Sequence, residues 1–178
     1  MTITLRERCE AIELLVLDVD GVLTAGGITY AGEGGEGKTF HVRDGAAIRL
    51  WQRGGKRAGL ITGRVSPAVT RRAKELDLDP VRQGVARKTQ AFREILEAAG
   101  LRPENACCIG DDVPDLPMLR LCGLSVAVAD ACAEVRNEAH LVTRLAGGCG
   151  VVREVVEIIL RAQGRWQSVL DAFFQEMQ

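Results

Sequence analysis

Short, uninterrupted apolar runs alternate along the chain with longer segments in which apolar and polar residues are mixed. Runs of this length are typical of strands buried on both faces of a parallel sheet, and the mixed segments are typical of helices that cover such a sheet. The alternation predicts an α/β fold, a doubly wound and mainly parallel sheet with right-handed crossovers, in one domain over residues 1–178. Strands are expected at residues 14–17, 56–61, 106–109, 124–129 and 140–142, with a short one at Val81, and helices at 4–11, 43–53, 65–76, 87–99, 151–162 and 167–176.

Residues 25–42 interrupt the alternation and predict a β-hairpin. Two β-like pieces, 27–30 and 38–42, flank a glycine-rich loop at 31–37. The loop lacks the Lys-Ser/Thr ending of a phosphate-binding loop and does not open a helix directly after a strand, so we interpret the hairpin as a flap. Asp44 is predicted to be the N-cap of the next helix. The last segment, 165–178, is expected to be a tail helix.

Composition narrows the class of protein. The 178 residues are 47% hydrophobic and 26% charged, as in ordinary globular domains, and the formal net charge of −1 gives no reason to expect nucleic acid or an anionic membrane as partner. No apolar run approaches the roughly 20 residues that span a bilayer, and the polar N-terminus does not resemble a secretory signal. We therefore expect a cytoplasmic protein whose six cysteines are reduced thiols.

Candidate chemistry is concentrated where the predicted strands end. Asp18 and Asp20 follow the first strand, Thr62 the second, Lys88 the short strand at Val81, and Asp111 the strand at 106–109. The carboxyl ends of parallel strands converge in a doubly wound sheet, so these side chains should meet. Two like charges at one strand end are unfavourable without a cation or a reaction that uses them, although a plain Asp-Gly turn is the simpler reading of Asp18 to Gly21.

The residue types in this cluster favour phosphoryl transfer. Carboxylate oxygens suit Mg²⁺, and a lysine and a hydroxyl beside a metal suit a phosphate group. An aspartate can also act as the nucleophile and form an aspartyl-phosphate. Taken alone, Lys88 would be interpreted as a solvated lysine at the start of a helix. Only together with the other motifs does it become a candidate site residue.

Four segments then match, in order, the motifs of a known family. They are DVDGVLT at residues 18–24, TGR at 62–64, Lys88, and GDDVPD at 110–115. In these segments the chain resembles the haloacid dehalogenase superfamily of phosphatases. The resemblance implies that Asp18 is the nucleophile and a Mg²⁺ ligand.

The resemblance also implies roles for the other motif residues. Asp20 would be the general acid and then the general base, and its backbone carbonyl would ligate Mg²⁺. Asp111 would be the third protein ligand. Thr62, the Gly63 amide and Lys88 would hold the transferring phosphoryl group. Asp112 and Asp115 would support the metal or merely favour the N-terminus of the following helix.

Three further segments are FHVRDG at residues 40–45, DDVPDLP at 111–117 and VAVADA at 126–131. In these segments the chain is similar, within the superfamily, to the phosphatases that act on 3-deoxy-D-manno-octulosonate 8-phosphate. Thr62 and Lys88 are too close in sequence for an inserted cap domain, and the resemblance implies that hairpins of a homotetramer cover the open site instead. It also implies substrate contacts from His41, Val42, Arg43, Asp44, Gly45, Arg49, Gly63, Arg64, Arg72 and Lys88. Arginine's planar fork suits the carboxylate of a sugar acid, whereas Arg72 could equally lie on a solvated helix face.

Three other functions stay open at this point. The same chemistry could act on the 9-phosphate of a nine-carbon, sialic-type sugar acid. The chain could be a non-catalytic regulatory subunit that retains the fold, or an open phosphatase for phosphorylated proteins. Retention of Asp18, Asp20, Lys88 and Asp111 argues against a non-catalytic subunit.

Overall fold

The strands and helices follow the predicted alternation. The computed structural model describes residues 3–30 and 35–176. Its strands are β1 (Leu14–Leu17), β2 (Thr29–Tyr30), β3 (Glu36–Gly37), β4 (Arg57–Ile61), β5 (Val81–Arg82), β6 (Ala106–Gly110), β7 (Leu124–Ala127) and β8 (Leu141–Val142). Its helices are α1 (Leu5–Glu10), α2 (Val42–Arg53), α3 (Pro67–Glu75), α4 (Lys88–Ala99), α5 (Leu116–Leu119), α6 (Ala133–Glu138), α7 (Val151–Ala162) and α8 (Trp166–Glu176).

Six strands form one parallel sheet in the order β5-β4-β1-β6-β7-β8. The chain builds outward from β1 to β5 and then returns to place β6 on the other side of β1. This reversal creates a switch point between β1 and β6, where open α/β sheets bind their ligands. Leu17 is in register with both Leu60 and Ile109, so β1, β4 and β6 end level with one another. The predicted doubly wound parallel sheet is confirmed.

Helices on the two faces bury the apolar strands. All four residues of β1 are buried, as expected for a central strand. The apolar stripe of α7, which includes Val152, Val156 and Ile159, packs against α2, and α1 and α8 join this layer. After β5, strands are added on the other side of β1. Right-handed crossovers in this opposite direction place α4 and α5 on the other face of the sheet. None of the helices in the described part of the chain has both the length and the apolar character needed to cross a membrane.

The hairpin differs from its prediction. Its second strand is Glu36–Gly37, and the predicted piece at 38–42 is wrong, because 38–41 are not in a strand and Val42 already belongs to α2. Thr29 pairs with Gly37 in antiparallel register. The predicted turn at 31–37 falls partly on residues 31–34, which lie outside the described residues.

Asp44 does not cap its own helix. The N-cap of α2 is His41, whose Nδ1 accepts a hydrogen bond from the Arg43 amide at 3.2 Å. Asp44 is buried in the first turn, and its Oδ1 accepts from the amide of Arg153 at 2.9 Å, in the first turn of α7. The N-cap prediction is therefore wrong. The α7 helix begins after Gly150, which has no side chain to satisfy its free amides, and Asp44 supplies the missing acceptor.

The loop before α7 packs closely against the loop after β1. The Gly148 amide donates to the Val22 carbonyl at 2.8 Å, and the Gly147 amide donates to Oδ1 of Asp130 at 2.9 Å. A Cβ on residue 147 would lie only 1.7 Å from the carbonyl oxygen of Gly21. A glycine is needed here because the two backbones touch, and this contact supports the loop that follows Asp18.

We expect Gly147→Ala to destabilise the protein by about 1–3 kcal/mol, because the added methyl group forces the two loops apart. Gly27→Ala is the matched control, since a Cβ at Gly27 would meet nothing within 4 Å. This control should change the free energy of unfolding by less than about 0.5 kcal/mol. Urea denaturation of both variants measures the difference, and equal stabilities would contradict the close contact.

Candidate active site

The ends of β1 and β6 and the start of α4 bring four charged side chains together. The Nζ of Lys88 donates to Oδ1 of Asp18 at 2.5 Å and to Oδ1 of Asp115 at 2.6 Å. Asp18, Asp111 and Asp115 each offer an oxygen, and these three atoms lie within 4.8 Å of one another. We call these three residues the carboxylate cluster. Its oxygens are close enough to share a cation.

Asp115 holds the loop after β6 in place. Its Oδ2 accepts from the Asp111 amide at 3.0 Å and from the Asp112 amide at 3.4 Å, while Oδ1 accepts from Lys88. Both oxygens of Asp115 are thus already used by the protein. Asp112 is exposed, and its Oδ1 accepts from the amide of Val113 at 2.8 Å. Asp18 and Asp111 are consequently the better candidates for direct contact with a metal.

Two glycines make room for the carboxylates. Gly21 has a φ of +97°, and a Cβ there would lie 2.1 Å from Oδ2 of Asp111. A Cβ at Gly110 would lie 2.7 Å from the Asp115 carboxyl group. Neither glycine was predicted from the sequence to have a role in the site, although Gly21 follows Asp20 and Gly110 precedes Asp111. Side chains at these positions would push the cluster apart.

Burial makes the charged forms of the cluster unfavourable. It raises the pKa of Asp18 to about 6; the nearby Lys88 opposes this rise and Asp115 adds to it. Burial also raises the pKa of Asp111 to about 7, with further contributions from the charges of Asp18 and Asp115. Burial by itself lowers the pKa of Lys88, but Asp18 and Asp115 outweigh it and the net shift is upward. Without an added cation, Asp18 and Asp111 therefore hold their protons to a higher pH than exposed aspartates do.

Thr62 and Gly63 directly follow β4, the strand that lies beside β1. Thr62 is buried, and its Oγ1 accepts from the Arg64 amide at 3.3 Å. Gly63 and Lys88 line a groove of about 680 Å³ whose other walls include Arg87 and Pro114. Asp18, Thr62 and Asp111 do not line this groove.

Asp20 lies outside the carboxylate cluster. Its Oδ1 accepts a hydrogen bond from Lys38, which also forms an ion pair with Oε1 of Glu36 at 2.9 Å. Oε2 of Glu36 in turn accepts from Arg64 at 2.6 Å. Neither Lys38 nor Glu36 was among the site residues predicted from the sequence. Their alternate positions in an extended segment place them on one side of the chain, which is the signal that could have identified them.

The remaining predicted substrate residues occupy different places. Val42 and Arg43 are exposed at the start of α2. Gly45 is buried beneath Arg72, since a Cβ there would lie 2.4 Å from an Nη atom of that arginine. The guanidinium of Arg72 lies 5.8 Å from the centre of the Phe40 ring.

Arg49 is not brought to the cluster. Its guanidinium binds the Asp77 carboxylate and the Glu75 carbonyl at the C-terminal end of α3. Arg49 lines a groove with Arg57 and Ala58, the first two residues of β4. This groove is therefore at the amino-terminal ends of the strands, whereas the carboxylate cluster is at their carboxyl ends. Within one chain, the α2–α3 interface holds the Arg49 side chain, and the contact of Arg49 with substrate stays a prediction.

Comparison with known proteins shows which family shares this sequence and fold. Residues 81–155 match the family described as haloacid dehalogenase-like hydrolase. The 3-deoxy-D-manno-octulosonate 8-phosphate phosphatase of Escherichia coli K12 is 44% identical over 158 residues, which are 89% of this chain and 84% of that protein.

Solved structures are similar over the same length. The Yersinia pestis phosphatase of that name has a TM-score of 0.89 and 41% identity, with 91% of this chain and 88% of that chain covered. The Moraxella catarrhalis enzyme, solved with a magnesium ion, a phosphate ion and a KDO molecule, has a TM-score of 0.90 and 38% identity, with 97% of each chain covered. The chain belongs to the 3-deoxy-D-manno-octulosonate 8-phosphate phosphatase family of haloacid dehalogenase-like hydrolases.

Proposed function

We propose that the protein is a Mg²⁺-dependent phosphatase that hydrolyses 3-deoxy-D-manno-octulosonate 8-phosphate to the free sugar acid and phosphate. The observation that carries the proposal is the placement of Lys88 between Asp18 and Asp115, with Asp111 beside them, at the switch point of the sheet. The magnesium, phosphate and KDO in the related Moraxella catarrhalis structure support the choice of metal and substrate.

The residues present fit a Mg²⁺ ion. Asp18 and Asp111 would bind it through their carboxylates and Asp20 through its backbone carbonyl, while Asp115 stays engaged with Lys88 and the loop amides. Oxygen ligands of this kind are those that Mg²⁺ prefers. When bound, the ion neutralises negative charge on the phosphoryl oxygens and on Asp18.

The protein's own residues divide the reaction into two steps. Asp18 attacks phosphorus and forms an aspartyl-phosphate as the bond to the sugar oxygen breaks, and Asp20 gives that oxygen a proton. Asp20 then takes a proton from a water molecule that attacks the phosphorus and releases Asp18. Lys88, the Thr62 hydroxyl and the Gly63 amide bind the phosphoryl oxygens as charge develops on them.

A homotetramer would complete the open site. The exposed apolar side chains Tyr30, Val42 and Val65 stand on the hairpin, at the start of α2 and after β4, and 78%, 81% and 73% of their respective surfaces are accessible. These positions surround the carboxyl ends of the strands, and their burial by neighbouring copies would exclude water from the site.

Light scattering on the purified protein should give four times the chain mass, and a monomer would contradict this proposal.

The substrate is tested with a panel of phosphate esters. We expect the eight-carbon 8-phosphate to give a higher kcat/KM than the nine-carbon 9-phosphate or a phosphopeptide, and a chelator to abolish turnover. Asp18→Asn should lower kcat by at least about 10⁴-fold, because the nucleophile is lost. Asp171→Asn, an exposed change in α8, serves as control.

The outcomes of the panel separate the candidate functions. Preference for the nine-carbon compound would support the sialic-type alternative. Preference for the phosphopeptide would support a protein phosphatase. Full activity of Asp18→Asn would contradict the covalent mechanism, and the absence of turnover on every ester would favour a non-catalytic subunit.

The raised pKa values give a second test, in chelator. The folded-state pKa of Asp111, about 7, lies above the ordinary value of 3.8, so the folded protein loses stability as the pH rises through this interval. Asp111→Asn cannot ionise, and we expect its melting temperature to exceed that of the wild type at about pH 8, with a difference that shrinks steadily as the pH falls towards about 4.

Asp112→Asn is the control for this test, because Asp112 is the exposed neighbour and asparagine can still accept from Val113. Differential scanning fluorimetry across the pH range measures both variants. A difference for Asp111→Asn that does not change with pH would contradict the electrostatic origin.

A further inference from the structure

Lys38 is a buried cation whose partners lie on both sides of it. None of its side-chain surface is accessible, although it stands just after the second strand of a hairpin whose first strand, β2, is exposed. Its ammonium contacts Oδ1 of Asp20 and lies 2.9 Å from Oε1 of Glu36. A lysine buried in this way is stable only while its charge is paired, and here Asp20 and Glu36 together supply the pairing.

The contacts of Lys38 connect three segments that are far apart in sequence. Asp20 belongs to the loop after β1, Lys38 and Glu36 to the hairpin, and Arg64 to the loop after β4. The ion pairs run from Asp20 through Lys38 to Glu36 and from Glu36 to Arg64 at 2.6 Å. The hairpin is thereby fixed against two of the loops that form the site.

Asp20 is held through one of its two oxygens. Oδ1 is bound to Lys38, whereas Oδ2 is buried and has no hydrogen-bond partner among the residues described. A carboxylate that is fixed by one oxygen presents the other in a defined direction. A buried acceptor without a partner is costly unless a ligand or water uses it.

We propose that Lys38 is a positioning residue for the proton transfers of Asp20. By binding Oδ1, Lys38 prevents rotation of the carboxyl group and leaves Oδ2 to give its proton to the sugar oxygen as the oxygen–phosphorus bond breaks. The hairpin therefore contributes to the chemistry in addition to covering the site. This inference rests on the proposed phosphatase function.

Two variants at residue 38 test it. Lys38→Met keeps the length of the side chain and removes its charge, and Lys38→Arg restores a cation. Lys74→Met is the matched control, because Lys74 is exposed on α3. Circular dichroism and melting temperature verify that each variant folds.

The decisive readout is how the loss depends on the leaving group. The value of kcat/KM reports formation of the aspartyl-phosphate, and the sugar alkoxide needs a proton from Asp20 at that stage whereas nitrophenolate does not. We expect Lys38→Met to lower kcat/KM about 100-fold for 3-deoxy-D-manno-octulosonate 8-phosphate and less than about 3-fold for p-nitrophenyl phosphate. With the sugar phosphate, the loss should appear in kcat with KM nearly unchanged, and Lys38→Arg should recover most of it.

Other results would overturn the inference. Equal losses on the two esters, or a loss confined to KM, would mean that Lys38 only anchors the hairpin or contacts the substrate. Wild-type rates in Lys38→Met would show that Asp20 needs no such partner. Failure of the wild type to hydrolyse either ester would instead contradict the proposed function itself, so the two failures are distinguishable.

Discussion

Repulsion among three closely spaced carboxylates is the constraint on which the site depends. Asp18, Asp111 and Asp115 approach one another within 4.8 Å, and Lys88 provides a single positive charge between two of them. One ammonium cannot neutralise three carboxylates. Loss of hydration on burial raises the pKa values of Asp18 and Asp111, and repulsion from the neighbouring carboxylates raises them further. The arrangement is tolerable because strand ends and loops hold it, and it becomes useful when a cation and a phosphate ester bind.

The rest of the fold maintains this closeness. The switch point between β1 and β6 places Asp18 beside Asp111, and Gly21 gives the Asp111 carboxylate its space. Gly147 allows the loop before α7 to touch Gly21 from behind. The charged groups are thus preorganised by backbone contacts, and little reorganisation is left for the moment of reaction.

The sequence was sufficient to predict the sheet, most helices and the convergence of Asp18, Lys88 and Asp111. These features follow from apolar runs and from the geometry of parallel strands, which are local and regular. Lys38, the cap supplied by Asp44 and the place of Arg49 could not be predicted in the same way. Each depends on a contact between distant segments: Lys38 with Asp20, Asp44 with Arg153, and Arg49 with Asp77. The periodicity of a single segment does not contain that information.

The central claim is that the carboxylate cluster is a magnesium site whose acids lose protons when the ion binds. Isothermal titration calorimetry of Mg²⁺ at about pH 6 and about pH 8, in buffers of different ionisation enthalpy, measures affinity and proton release together. The account predicts that binding is tighter by about tenfold or more at the higher pH, with protons released at the lower one, and that Asp111→Asn loses most of the affinity. Equal affinity at both pH values without proton release, or wild-type affinity in Asp111→Asn, would contradict it.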